Sequence, residues 1–420
     1  MNAHFPISDL CAEGPGLITI EEACAAAAAY AMPISAVDEV PVREAAGRTL
    51  AEEIVARLAM PLFDQSAMDG YAVALGGGMM PAGARLPVEG RVAAGDTAGV
   101  LPDGAAARIF TGAPLPASAD AVLMQEHGWR DGDHLVLSRM LRPGDNIRRR
   151  GEDITQGELL LNPGERLDAR HVALLAAQGR ETVRVRRRSR VGVVSTGNEL
   201  RQPGTPLDDA AIYDSNRPML IALAEQAGLA VVDGGWVQDD PVEIATVLSR
   251  LTARCDLVVT TGGASVGEED YSAAAMKAAG ARFETLRIAL KPGKPAVVGQ
   301  LGACAYLGLP GNPVSALVSW LFLGGAVVAS MEQRRFRRRL GCPMPATSQF
   351  QRRPGRTEFV PARLALGDAG PGVEILGRGG SARLRPLVLA DGLAEIAPLH
   401  APVEPGDRVL FHPFRSGFAV

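Results

Sequence analysis

Three stretches in the second half of the chain repeat one pattern: a short apolar run of buried-strand length, a glycine-rich polar turn, then an apolar run with helical spacing. They are residues 191–200 (VGVVSTGNEL), 257–271 (LVVTTGGASVGEEDY) and 304–316 (CAYLGLPGNPVSA). Between them RPMLIALAEQAG, AVVDGGWVQDD, PVEIATVLSRL and PAVVGQL continue the alternation over 188–331. Alternation of this kind predicts a mostly parallel sheet covered by helices. Its turns collect at the carboxyl ends of the strands, where backbone N–H groups and helix N-termini face an anion. A pocket for a phosphate-like or oxyanion ligand is therefore expected.

The remaining text has other rhythms. Residues 56–154 are short apolar runs broken by glycine and proline (MDGYAV, LPVEGRVAAGD, ARIFTGAPLP, ADAVLMQEH), which predicts a β-rich unit. Residues 17–55 and 155–186 are more helical, so the two flanks are expected to pack together as one domain with the β-rich part inserted. Residues 187–332 form the α/β domain, and 342–420 return to short strands, a small C-terminal β domain. At 420 residues the chain is too long for one core.

Net charge is −4 without long single-sign blocks, so nucleic-acid binding is not expected. The five cysteines are scattered and never spaced C-x-x-C, which predicts a reduced, cytoplasmic protein and no Cys/His zinc site. Any metal would be a hard cation on carboxylates. Thr19 and Glu22 read as a capping box for the alanine-rich helix that follows, a packed helix and not a signal peptide. Residues 314–331 are 18 long and uncharged. They imitate a membrane span, but the start in a proline turn and the central Gly324-Gly325 predict a buried or subunit-interface helix; no membrane is expected as a partner.

Within the turns, Asn312 is placed as a helix N-cap and Pro313 as the first helical residue, beside Pro310 and Gly311. The loop after Thr260 joins Gly262, Gly263 and Ser265 to Glu268, Glu269 and Asp270. Glycines admit a phosphate, whereas carboxylates repel it unless a cation intervenes, so Mg²⁺ between a nucleotide phosphate and Asp270 is expected. Lys291 and Lys294 sit on a stiff proline turn. Asp239 and Asp240 end another strand, and either could simply cap the helix beginning at Pro241. The β-rich unit adds Asp69-Gly70, Thr111-Gly-Ala-Pro114 and Asn146 to Ile154, each by itself an ordinary turn or charged loop.

Together, FDQSAMDGYAV, RIFTGAPLP, NIRRRGEDI, STGNEL, IYDSNR, TTGGASVGEEDY, LKPGKP and LPGNPVSA follow the order and spacing of one family. The chain resembles the MoeA family of molybdopterin molybdenumtransferases, to which the E domain of gephyrin also belongs. The resemblance implies insertion of molybdate into adenylylated molybdopterin with release of AMP, assisted by a divalent cation such as Mg²⁺. Carried over by motif position, Asp69, Thr111, Asp153 and Glu199 match residues important for activity, and Ser265, Lys294, Arg356 and Ser381 match the molybdate site. Asp239 and Asp270 would hold the cation, and the glycine turns with Lys291 the nucleotide.

The resemblance further implies an elongated four-domain subunit in a homodimer, its cleft shared so that Asp69 acts across the interface. A molybdopterin adenylyltransferase upstream and a molybdoenzyme or chaperone downstream would be its partners. Asn198, Arg287 and Asp391 depart from the family's usual aspartate, lysine and asparagine. An adenylyltransferase of the neighbouring step would leave residues 1–186 and the C-terminal domain unexplained. A gephyrin-like scaffold would have no need of Asp69 and Asp270, both of which are present.

Overall fold

A computed structural model describes residues 16–262, 271–293, 295–336, 341–367, 370–376, 380 and 382–414. The α/β domain is built on a six-stranded sheet in the order Ala230–Val237, Arg190–Thr196, Leu257–Gly262, Cys304–Pro310, Pro295–Leu301, Arg282–Arg287. The first four strands are parallel and the last two antiparallel. Each strand's alternation divides its side chains between two cores. Val191, Val193, Leu257 and Val259 face Leu220 and Ala224 of helix Asn216–Gln226, whereas Val194 and Val258 face Ile244, Leu248 and Leu251 of helix Pro241–Thr252.

The uncharged stretch is a core helix, Pro313–Met331, 19 residues long and apolar enough by composition to cross a membrane, yet mostly buried inside the protein. Its turns widen to π geometry over Trp320–Gly324. A Cβ on Gly324 would lie 2.4 Å from the Trp320 ring, so glycine is required for the indole to fold back on its own helix.

Helix Ile20–Ala29 begins with the capping box read from the sequence: the Glu22 N–H reaches Thr19 Oγ1 at 3.1 Å and the Thr19 N–H reaches Glu22 Oε2 at 2.8 Å. Its buried face, Ile20, Ala23, Cys24 and Ala27, packs with Trp320, Phe322 and Val327 in the α/β core. The flanking strands keep a separate core with helix Ala169–Ala177. The helix thus follows its apolar face and not its neighbours in sequence.

Across the β-rich unit the two flanks join, Val37–Pro41 antiparallel to Thr182–Arg186 and Ile54–Val55 to Leu159–Leu161. Between those pairs the chain makes a six-stranded sheet in the order Ala121–Met124, Gly70–Val73, Ala106–Ile109, Arg85–Val92, His134–Leu137, Gly128–Asp131. Residues 341–414 hold a further sheet whose long strand, Thr357–Gly367, also pairs with Leu290–Lys291 of the preceding domain. That parallel pairing sets Lys291 beside Glu358 and ties the C-terminal sheet to the α/β domain.

Candidate functional site

At the carboxyl end of the parallel strands, register brings the turns together: Thr261 lies opposite Ser195 on one side and Leu309 on the other, and Gly262 opposite Pro310. Gly262 has φ +121°, and a Cβ there would sit 2.1 Å from the Thr196 carbonyl oxygen. No other residue fits. Asn216, at the start of its helix, donates from Nδ2 to Thr261 Oγ1 at 2.9 Å and to the Gly311 carbonyl at 2.7 Å. The Thr261 hydroxyl donates onward to the Pro310 carbonyl at 3.3 Å. With both amide protons in use, the buried Asn216 Oδ1 is an acceptor without a partner among the described residues, as are the buried Ser195 and Thr196 hydroxyls. Asn312 does occupy the N-cap position with Pro313 first in the helix, but its side chain makes no capping hydrogen bond. Gly263, Ser265 and Asp270 of the adjoining loop lie outside the described residues, as do Lys294 and Ser381.

The two aspartates at the next strand end have different tasks. Asp240 caps helix Pro241–Thr252, accepting from the Val242 and Glu243 N–H groups, both at 2.9 Å. Asp239 pairs reciprocally with Asn198: the Asn198 N–H reaches Asp239 Oδ2 at 3.2 Å, and the Asp239 N–H reaches Asn198 Oδ1 at 3.1 Å. An aspartate at 198 would keep both bonds, since each runs from a backbone N–H to a side-chain oxygen, but would bring another carboxylate beside Asp239. Glu199 is exposed, its carboxylate lying over Gly197, where a Cβ would be 2.4 Å from Oε2. Among the described residues no three His, Cys, Asp or Glu side chains converge as a metal cage. Asp239 nevertheless suits a hard cation, because Asn198 engages one carboxylate oxygen and the other makes no hydrogen bond among the described residues.

In the β-rich unit, Asp69 Oδ1 accepts from the Thr111 backbone N–H at 2.8 Å and from its hydroxyl at 2.7 Å. That backbone N–H, then the hydroxyl, hold the exposed carboxyl below the ordinary carboxylate range, with a smaller contribution from Arg108. Arg108 is itself fixed by the Gly70 carbonyl and Gln125 and lies over the Tyr71 and Phe110 rings. Asp153 is exposed on its loop, while neighbouring Arg149 and Arg150 are both tied to Asp64.

A cleft of about 630 Å³ opens where the α/β and C-terminal domains meet, lined by Lys291, Gln351, Arg352, Arg353, Pro354 and Arg356. Four of those six are cationic. Beneath them, Glu358 forms ion pairs with Lys291 Nζ at 2.8 Å and Arg352 Nε at 3.0 Å. The Arg356 guanidinium donates to the Leu290 carbonyl at 3.3 Å. Lys291 and Arg356, distant in sequence, are thus brought to one cationic wall. Asp391 accepts from the Leu364 N–H at 2.8 Å, a bond that an asparagine oxygen would also make.

Asn216, Arg352 and Glu358 were not singled out from the sequence. Asn216 stands inside IYDSNR, but which side chain of that motif reaches the turns depends on helix placement. Glu358 had a weak signal, an acid within the apolar run of TEFVPA.

Comparison with known proteins agrees along the chain. Residues 18–179 match the MoeA N-terminal region (domains I and II), 192–329 a probable molybdopterin binding domain, and 343–414 the MoeA C-terminal region (domain IV). The molybdopterin molybdenumtransferase of Haemophilus influenzae is 35% identical over 377 residues, covering 89% of this chain and 93% of that protein. Molybdopterin molybdenumtransferase 2 of Mycobacterium tuberculosis is 38% identical over 67% of this chain and 72% of its own length. The crystal structure of the molybdopterin biosynthesis MoeA protein from Pyrococcus horikoshii OT3 superimposes with a TM-score of 0.78 at 28% identity, over 95% of this chain and all of that one. The chain belongs to the MoeA family, the molybdopterin molybdenumtransferases of molybdenum cofactor biosynthesis.

Proposed function

We propose that this protein inserts molybdate into adenylylated molybdopterin, releasing AMP and giving molybdenum cofactor. The observation that carries this reading is the cationic cleft in which Lys291 and Arg356, from different domains, face the same space. A tetrahedral dianion surrenders strong hydration on binding and needs several charge-assisted donors fixed in place. Arg356 with Lys294, Ser265 and Ser381 would supply them. The turns at Gly262, Gly263 and Pro310 to Pro313, with Lys291, would hold the nucleotide and pterin portions, and the Asn216 oxygen would accept from a substrate N–H or O–H.

Asp239 with Asp270 would hold Mg²⁺, which neutralises phosphate charge when bound. Asp69, its oxygen oriented by Thr111, together with Asp153 and Glu199 would supply the carboxylates around the reacting groups. We place the enzyme in the cytoplasm as a homodimer in which Asp69 acts across the interface. It would take its substrate from an adenylyltransferase and pass product to a molybdoenzyme or its chaperone.

The test is incubation with adenylylated molybdopterin, molybdate and Mg²⁺, following AMP release and reconstitution of a molybdoenzyme. Release that does not depend on molybdate would refute the insertion step. Mixed dimers of Asp69→Asn and Asp239→Ala subunits should regain activity at one of two sites. Verified heterodimers without activity would remove the shared cleft.

A further inference from the structure

We infer that Glu358 is a positioning residue that pre-forms the oxyanion wall of the cleft, an inference that rests on the cleft's proposed role. It lies on the strand Thr357–Gly367, followed by the buried Phe359 and Val360, and is itself only 3% exposed. A carboxylate in that position is tolerated when both oxygens meet partners. Here Oε1 lies 2.8 Å from Lys291 Nζ and Oε2 lies 3.0 Å from Arg352 Nε, the latter a charge–charge contact in which neither atom makes a hydrogen bond among the described residues.

The two cations it holds are unlike. The Arg352 side chain is 1% exposed. Its other nitrogens are engaged by the carbonyls of Ala397 at 2.6 Å, His400 at 3.2 Å and Arg356 at 2.6 Å. With three hydrogen bonds made to backbone carbonyls inside the protein and its side chain almost wholly buried, Arg352 is a brace and not a ligand group. What it braces is the backbone of Arg356, whose guanidinium is held in turn at the Leu290 carbonyl. Lys291 follows immediately, and its side chain is 42% exposed at the cleft. An ammonium group has three donors, so the ion pair with Glu358 orients it while leaving donors for a ligand. A lysine on a surface turn would otherwise sample many rotamers and lose that freedom on binding. One buried carboxylate therefore fixes Lys291 directly and Arg356 through Arg352, across the seam where Lys291 and Glu358 pair in register.

Tungstate or molybdate binding to the full chain, measured by calorimetry beside thermal unfolding, tests the inference. Glu358→Gln should weaken oxyanion binding by about tenfold, the loss of one positioned charge-assisted donor. Lys291→Met should do the same, and the double variant should fall clearly short of the roughly hundredfold product of the two losses, the excess over Lys291→Met being the part Glu358 exerts on Arg356 through Arg352. Wild-type binding by folded Glu358→Gln while Arg356→Ala is weakened would overturn the inference and spare the cleft. Fully multiplicative losses would also overturn it, because Glu358 would then act without Lys291. Wild-type binding in both Glu358→Gln and Arg356→Ala would remove the cleft as the oxyanion site and the inference with it. If Glu358→Gln does not fold, Glu358→Asp decides: its shorter carboxylate keeps the charge but cannot span both cations. Weakened binding there supports positioning, and unchanged binding contradicts it.

Discussion

Asp69 and Glu358 are both carboxylates at the proposed reaction site, but they are held in opposite ways. Asp69 is exposed on a turn of the β-rich domain and takes its orientation from one residue, Thr111. Glu358 is buried on a strand of the C-terminal domain between two cations from different segments. Solvent makes the difference. Water screens Asp69 and would accept its charge in almost any rotamer, so Thr111 selects an orientation at little energetic consequence. Around Glu358 water is excluded, each partner is obligatory, and geometry and stability become one quantity.

The comparison predicts its own largest effect at Arg352→Ala, which leaves Glu358 buried beside Lys291 alone and removes donors from three carbonyls. A loss of about 3–5 kcal/mol is expected in denaturant unfolding. A loss below ~1 kcal/mol would place the array with ordinary surface pairs and erase the contrast. Next is Gly262→Ala, which drives a Cβ into the Thr196 carbonyl and should cost about 2–3 kcal/mol. Gly302→Ala, with positive φ but no atom within 4 Å, should cost only about 1 kcal/mol. Equal losses would show that backbone conformation, and not the close approach of the turns, fixes Gly262.

At the exposed carboxylate, Asp69→Asn should lower the unfolding midpoint only slightly while abolishing most molybdate-dependent AMP release. The folded-state pKa of Asp69 is depressed, so the stabilisation from its bonds is present in full above the unfolded pKa and is lost as pH falls through the folded one. Carboxyl NMR should find Asp69 titrating below ordinary aspartates and rising in Thr111→Val, which removes the hydroxyl donor and keeps the N–H. No change in that variant would leave the backbone N–H and Arg108 as the causes. Smallest is Asn198→Asp: stability nearly constant, with the Mg²⁺ requirement for nucleotide binding lowered several-fold by the added carboxylate. An unchanged Mg²⁺ titration would separate Asp239 from the cation site.

Much of the α/β domain was legible because local rules and tertiary packing agree there. Alternating apolar runs gave strands, glycine and proline marked the turns, and Thr19 with Glu22 marked a helix start that the structure shows bond for bond. The site was legible as motifs. Its geometry was less so: which of Asp239 and Asp240 caps the helix depends on the Asn198 turn reaching the next strand end. The N-terminal helix has an apolar face but no sequence mark of its partner, and it packs into the α/β core.

By itself the sequence determined the family, the order of the elements and the residue types at each turn, since these follow from local spacing and ordered motifs. Only the tertiary structure decided that Asn216 bridges Thr261 and Gly311, and that Lys291, Arg352 and Arg356 share one cleft above Glu358. The physical reason is that a buried charge is defined by what surrounds it. A glutamate written in TEFVPA carries no sign of its cations, which arrive when Leu290–Lys291 pairs with a strand more than sixty residues later.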